Sequence, residues 1–218
     1  MFKKVMIVGG ILLLVFVVIN LISVNSSSIY APKDGTSVEV SLGAGDFNID
    51  TGSQKGTITT TLTHKLLARP LIKTQDKYLG IQMRSGNGKM TIPTDVKFES
   101  VAIVAGAGDF GFNLTDAKVA KLNATLGASN VVLFVPKDIS SSINLTIGAG
   151  NLLVKIPTQG NLEGVQILSG NLSNMNLGDG FEKITGGIQT KGFGQAKVKS
   201  IINLAGSGAL QLNIEGVQ

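Results

Sequence analysis

One short pattern recurs along this chain and constrains what it can fold into. A segment of alternating apolar residues ends in a small Gly/Ala/Ser turn, and a second alternating segment follows. The clearest copy begins at Ile143, turns at Gly148-Ala149-Gly150-Asn151 and closes at Ile156-Pro157. The turn returns as Gly106-Ala107-Gly108-Asp109, Gly127-Ala128-Ser129-Asn130, Leu168-Ser169-Gly170-Asn171, Thr185-Gly186-Gly187-Ile188 and Gly206-Ser207-Gly208-Ala209. The third residues of these turns, at 108, 129, 150, 170, 187 and 208, are spaced by 21, 21, 20, 17 and 21. An earlier copy, Gly43-Ala44-Gly45-Asp46, stands apart. Self-similarity at a period near twenty is the signature of a solenoid, in which each coil buries its apolar face against its neighbours.

Each coil supplies apolar residues on alternate positions: Phe110, Phe112 and Leu114; Leu122, Ala124 and Leu126; Val131, Leu133 and Val135; Ile143, Leu145 and Ile147; Leu152, Val154 and Ile156; Leu210, Leu212 and Ile214. Period-two alternation puts each trio on one face of a strand, directed inward. Val132 and Phe134 point the other way, onto an apolar contact patch or a packed second face. Pro136 and Pro157 stand at strand ends, where a missing N–H breaks no ladder. With 28 glycines and neither cysteine nor tryptophan, the composition suits tight turns and excludes disulfides, thiolate zinc sites and a cysteine nucleophile.

The solenoid is preceded by a different kind of sequence. Residues 1–4 are a cationic start with Lys3 and Lys4, and residues 5–24 carry no charge. As a helix this run spans roughly 30 Å, the thickness of a bilayer core. It reads as a transmembrane anchor with a cytoplasmic N-terminus and everything after it extracytoplasmic. The rival reading is a cleaved signal peptide, whose apolar core is shorter and followed by an A-x-A-like site. Residues 25–35 read as a polar linker and residues 36–215 as the β-solenoid domain.

Within 36–95 the alternation at Val38-Val40-Leu42, Phe47-Ile49, Leu79-Ile81-Met83 and Met90-Ile92 marks strands, as does the β-branched run 58–63. Asn87-Gly88 reads as a hairpin turn. His64 to Ile72 fits a loop or helical turn, and the glycine-rich 178–194 region a smaller, looser coil.

Few residues suggest chemistry. Asp46, Asp109, Asn130, Asn151 and Asn171 follow their turns at equivalent places. Such a row would suit oxygen ligands for calcium, but calcium-binding β-rolls repeat every nine residues. Asx side chains that bond their own turns and stack as a ladder are the simpler account. His64 is the only histidine, so any Ser-His-Asp triad must use it, and no G-x-S-x-G elbow accompanies it. It reads as a surface loop histidine. The solenoid carboxylates, among them Glu99, Asp116, Asp138, Glu163, Asp179, Glu182 and Glu215, form no row at the coil period, which disfavours a carbohydrate-active β-helix enzyme. The net charge of +5 makes no basic stripe interleaved with aromatics, so nucleic acid is not an expected partner. Lys65, Arg69, Lys73, Lys77, Arg84 and Lys89 make one region locally basic; it is either a solvated surface or a contact for anionic headgroups or wall polymers.

The carriers Gly106-Ala107-Gly108-Asp109-Phe110, Leu126-Gly127-Ala128-Ser129-Asn130, Val135-Pro136 and Ile147-Gly148-Ala149-Gly150 resemble the toastrack domain. That β-solenoid is shared by the "putative adhesin" proteins and by the C-terminal domain of cell-wall-active-antibiotic response proteins. The resemblance implies a single-stranded, right-handed, β-helix-like domain tethered to a prokaryotic membrane, with a part in envelope-stress sensing or surface interaction. It supplies no catalytic residues. The stress-response regulators usually carry several N-terminal transmembrane helices, whereas one is legible here.

The expectation is an all-β, membrane-anchored, non-catalytic interaction or scaffold module, with no catalytic, cofactor or metal residues. Its expected partners are the membrane and an envelope protein. A glycan-binding or wall-polymer-binding adhesin is the alternative, and self-association through solenoid ends is open.

Overall fold

The computed structural model describes residues 22–52, 54–169, 175–176, 180–206 and 210–217. It is all-β. Seventeen strands, numbered in chain order, are β1 (Ser23–Tyr30), β2 (Thr36–Ala44), β3 (Phe47–Gly52), β4 (Ile58–Lys65), β5 (Leu71–Gln75), β6 (Tyr78–Ser85), β7 (Asn87–Pro93), β8 (Lys97–Asn113), β9 (Lys118–Val119), β10 (Lys121–Phe134), β11 (Ser141–Pro157), β12 (Gly164–Ser169), β13 (Met175–Asn176), β14 (Phe181–Ile184), β15 (Gly187–Thr190), β16 (Lys199–Gly206) and β17 (Leu210–Val217). A 3-10 turn, Phe193–Gln195, precedes β16.

The long strands β8, β10 and β11 each run through a turn motif and supply two sides of a coil. Their registers are in step at 21-residue offsets: Val101 faces Leu122, which faces Ile143, and beyond the bend Phe110 faces Val131, which faces Leu152. The inward residues from Phe110 to Val154 are buried as their alternation requires, as is Leu212, with Ile156 and Ile214 packed against the rim of the core. Each buried Leu, Ile, Val or Phe side chain contributes about 1.5–3 kcal/mol. Stacked trios therefore carry the stability. Phe110 and Phe112 stack at a ring-centroid distance of 6.3 Å within this core.

The bend is made by a column of glycines interrupted by the buried Ser129, which stands between Gly108 and Gly150. Gly86, Gly45, Gly108 and Gly150 have φ of 135°, 125°, 152° and 135°. A Cβ on Gly108 would lie 2.0 Å from the Gly45 carbonyl oxygen, and one on Gly150 would lie 1.9 Å from that of Ser129. Coils approach so closely here that the corner admits almost no side chain.

The coils do not stack in chain order. On one side the order is β5, β6, β2, the first halves of β8, β10 and β11, then β16, β12, β15 and β14. On the other it is β1, β4, β7, β3, the second halves of β8, β10 and β11, then β17 and β13. The coil of β2 and β3 thus lies between the later coil of β6 and β7 and that of β8. The coil of β16 and β17 lies between β11 and the earlier β12. The successive stacking expected from the period fails at both ends.

Four local expectations are also corrected. Residues 25–30 are not linker: they belong to β1, paired antiparallel with β4 from Ser23↔Lys65 to Tyr30↔Ile58. Polar side chains suit this edge, since β1 buries little and bonds through Asn25 and Ser26. The stretch from His64 to Ile72 is mostly strand end and strand start, with only residues 66–70 turning between β4 and β5. Asn87-Gly88 is no hairpin turn. β6 and β7 are two sides of one coil, bent at Gly86, so Ser85-Gly86-Asn87 is a further copy of the repeat turn. Conversely, Thr185-Gly186-Gly187-Ile188 closes an antiparallel hairpin of β14 and β15, which caps β12 in place of the looser coil.

Most of the expected transmembrane run, residues 5–21, lies outside the described residues, and Ser23 and Val24 open β1. Among the described residues no helix is long and apolar enough to cross a membrane.

Candidate functional site

The Asx residues that follow the bends are brought into one line. Asp46 N–H donates to Asn87 Oδ1 at 3.1 Å, and Asp109 N–H donates to Asp46 Oδ1 at 3.0 Å. Asn130 Nδ2 donates to Asp109 Oδ1 at 2.9 Å, and Asn151 Nδ2 donates to Asn130 Oδ1 at 3.0 Å. A second ladder runs from Asn203 to Asn144 to Asn123, both bonds 2.8 Å. This is the stacked-amide arrangement in which side-chain donors and acceptors repeat at strand spacing. Among the described residues no group of three or more His, Asp or Glu converges as a metal site. Asn171 is outside the described residues.

Beside the first ladder the outward positions form two rows. Asn48 faces Gly111, Gly111 faces Val132 and Val132 faces Leu153. In the next row Asn113 faces Phe134, which faces Lys155. Gly111 lowers the floor between Asn48 and Val132: a Cβ there would lie 2.3 Å from Asn48 Oδ1. The result is an open hollow of about 660 Å³ with Val132 and Phe134 on its floor and Asp46, Asp109 and Asn130 along its edge. Lys155 Nζ sits 5.2 Å from the centre of the Phe134 ring, and Lys89 pairs with Asp50 at 2.8 Å at the far margin. Val132 and Phe134 do point outward, as alternation requires, and are half-buried with no second layer of strands over them among the described residues. Gly111 gave no signal in the sequence, because its role depends on a partner strand distant in the chain.

The remaining candidates are dispersed. His64 is not a surface loop residue: it is buried at the end of β4, with Nδ1 2.8 Å from Lys65 O and Nε2 2.8 Å from Ser26 Oγ. A ring nitrogen facing a carbonyl must carry the proton, so Nδ1–H donates to Lys65, and in the neutral ring Nε2 accepts from the Ser26 hydroxyl. Three of the solenoid carboxylates make structural contacts. Asp116 pairs with Lys137 at 2.6 Å, Glu215 with Lys155 at 3.6 Å, and Asp138 accepts both Asn161 N–H and Nδ2. The hydrogen bond to Asp116, with its charge, raises the Lys137 ammonium above its usual range. Tyr78 is raised by its 2.9 Å hydrogen bond to Glu39, with burial and the Glu39 charge adding to it.

The basic region separates. Lys89 is drawn to Asp50, while Arg69 and Arg84 converge with Leu67 and Leu71 on a groove at the β5–β6 corner.

No family model matches the chain, and no curated protein matches its sequence. Among solved structures, a putative cell adhesion protein from Clostridium sporogenes is similar over 90% of this chain and 100% of its own, with a TM-score of 0.73 and 16% identity. At that identity the likeness establishes a shared fold. Putative adhesins from Parabacteroides distasonis and Parabacteroides merdae align over 89% of this chain and 97% and 96% of theirs, at 16% and 14% identity. Their TM-scores are only 0.30 and 0.31.

Proposed function

We propose that this chain is a non-catalytic, adhesin-like surface-binding module of the toastrack kind, displayed outside the membrane by its N-terminal apolar segment. The observation that carries this reading is the hollow over β3, β8 and β10. There a line of Asx side chains runs beside the half-exposed Val132 and Phe134. Carbohydrate suits such a surface. Its hydroxyls exchange donors and acceptors with Asp and Asn, and its apolar ring faces lie on aromatic carbon. The fold shared with the clostridial cell adhesion protein supports surface binding in general terms.

The test is binding of the full chain, in detergent or nanodiscs, to an array of bacterial wall and host glycans. Phe134→Ala should lower retention by at least about tenfold if the ring supplies a stacking contact. Retention unchanged by Phe134→Ala, or no glycan retained at all, would sink the glycan reading.

A second reading, a scaffold for an envelope protein in stress sensing, draws on another face. Ser41, Val104, Thr125 and Thr146 stand in register on the outer side of β2, β8, β10 and β11, and Val104 is 54% exposed. An exposed apolar side chain on a regular strand face offers a contact for a protein partner. Crosslinking in intact cells discriminates the two: a stoichiometric membrane-protein partner trapped from position 104 favours the scaffold.

A further inference from the structure

We propose that the corner formed by the 66–70 turn and the ends of β5 and β6 lies on the bilayer surface and binds anionic lipid headgroups. This holds the module in one orientation. The proposal rests on the reading of residues 5–21 as membrane-embedded.

Two observations meet at this corner. The first is where the chain enters. Leu66 N–H donates to the Ile22 carbonyl at 3.0 Å, so the first described residue is bonded to the 66–70 turn. The seventeen residues immediately before it, 5–21, carry no charge. There is no spacer to lift this corner away, because β1 begins at Ser23 and is fully paired with β4.

The second is the chemistry exposed there. Leu67 is 58% exposed, Leu71 49% and Ile22 43%, three of the five large apolar side chains found exposed among the described residues. Arg69 and Arg84 line the same groove as Leu67 and Leu71, and Lys73 lines the adjoining hollow, where Glu39 is engaged by Tyr78. No carboxylate lines this groove, and among the described ion pairs none engages Arg69, Lys73 or Arg84. Apolar side chains that enter the interface beside guanidinium groups matched to phosphates are the combination a headgroup layer selects. The opposite end of β1 supplies a built-in contrast. Ile29 is 77% exposed but lies about 20 Å further along the strand, at roughly 3.3 Å per residue.

The chain has no cysteine, so single-cysteine variants each carry one spin label. The full chain is reconstituted into vesicles of phosphatidylglycerol and phosphatidylcholine with a label at Leu13→Cys, Leu67→Cys or Ile29→Cys. Relative accessibility to oxygen and to a water-soluble nickel chelate is then read. The expected result is a label at 13 in the hydrocarbon, at 67 in the headgroup zone with oxygen accessibility several-fold favoured over 29, and at 29 in water. Replacing Arg69 and Arg84 together by Glu, or omitting phosphatidylglycerol, should return position 67 toward water. If 13 is in hydrocarbon while 67 matches 29, the headgroup contact is wrong and the anchor stands. If 13 is in water and 67 with it, anchor and contact fail together. Contact at 67 that survives both the Glu substitutions and neutral vesicles overturns the anionic-lipid assignment.

Discussion

The side-chain amide of Asn130 donates to Asp109 Oδ1 at 2.9 Å, one coil away, and thereby separates a carboxylate from the amide of Asn151 beyond it. Asn130→Asp would set a new carboxylate against Asp109 at strand spacing, the third in a line that already holds Asp46 beside Asp109. Like charges so placed raise the folded-state carboxylate pKa above its unfolded value. The sign follows: the variant matches the parent when these carboxylates are protonated, and loses stability as pH rises through the folded value. A deficit of about 1 kcal/mol is expected at neutral pH. Thermal melts near pH 3 and at neutrality check it; an equal deficit at both would mean that the charge is not the cause.

Thr60 is buried in β4 and its hydroxyl has no hydrogen-bond partner. Thr60→Val keeps the β-branched shape and removes the unmet polar atom. It should stabilise the protein by about 1 kcal/mol in urea denaturation. A lower midpoint would show that the hydroxyl is satisfied in solution.

Ser26 satisfies the acceptor nitrogen of buried His64. Ser26→Ala strands that nitrogen, at a cost of about 1–3 kcal/mol. The loss should be concentrated in β1, seen as faster amide exchange across residues 23–30 while β8 to β11 are unaffected. Uniformly faster exchange over the whole domain would contradict a local clasp.

Gly108→Ala combines a φ of 152° with a Cβ 2.0 Å from the Gly45 carbonyl oxygen. A cost of at least about 3 kcal/mol is expected. Gly194→Ala is the control, because a Cβ there meets nothing within 4 Å. Equal stability of the two variants would refute the close approach at the bend.

The chain has two tyrosines and no tryptophan, so phenolate absorbance resolves Tyr78 against Tyr30. The Glu39 hydrogen bond raises Tyr78 above the ordinary phenol range. Its contribution to stability is therefore complete below the unfolded pKa and disappears as pH rises through the folded one. Alkaline titration should show a late phase that Tyr78→Phe abolishes and Glu39→Gln shifts earlier.

Much of this was legible in the sequence, and the exceptions have a common physical origin. Phe110, Phe112 and Leu114, like Val131, Leu133 and Val135, announce their burial because a pleated strand has period two. The outward setting of Phe134 follows from the same count. What alternation leaves open is which coil meets which, since every coil offers the same apolar trio and the same glycine corner. Hence the pairing of Asn48 with Gly111, which makes the hollow, was invisible. So was the role of Asn87, whose Gly-Asn-Gly context mimics a hairpin. β1 escaped notice because an edge strand that buries little needs no apolar alternation. Its partner's run Thr59 to Thr63 was the nearest clue.

The exchanged coil order has a mechanical consequence. A terminal strand that merely lies on the end of a stack peels away one bond at a time under load. β2 instead is held on both flanks, by β6 and β8, and β17 by β11 and β13. Tension applied at the N-terminus would strip β1 from β4 and then meet a strand that must shear two ladders at once. A domain pulled from its two ends would thus yield a short extension and then resist, because β2 and β17 lock the stack near each end of the described residues.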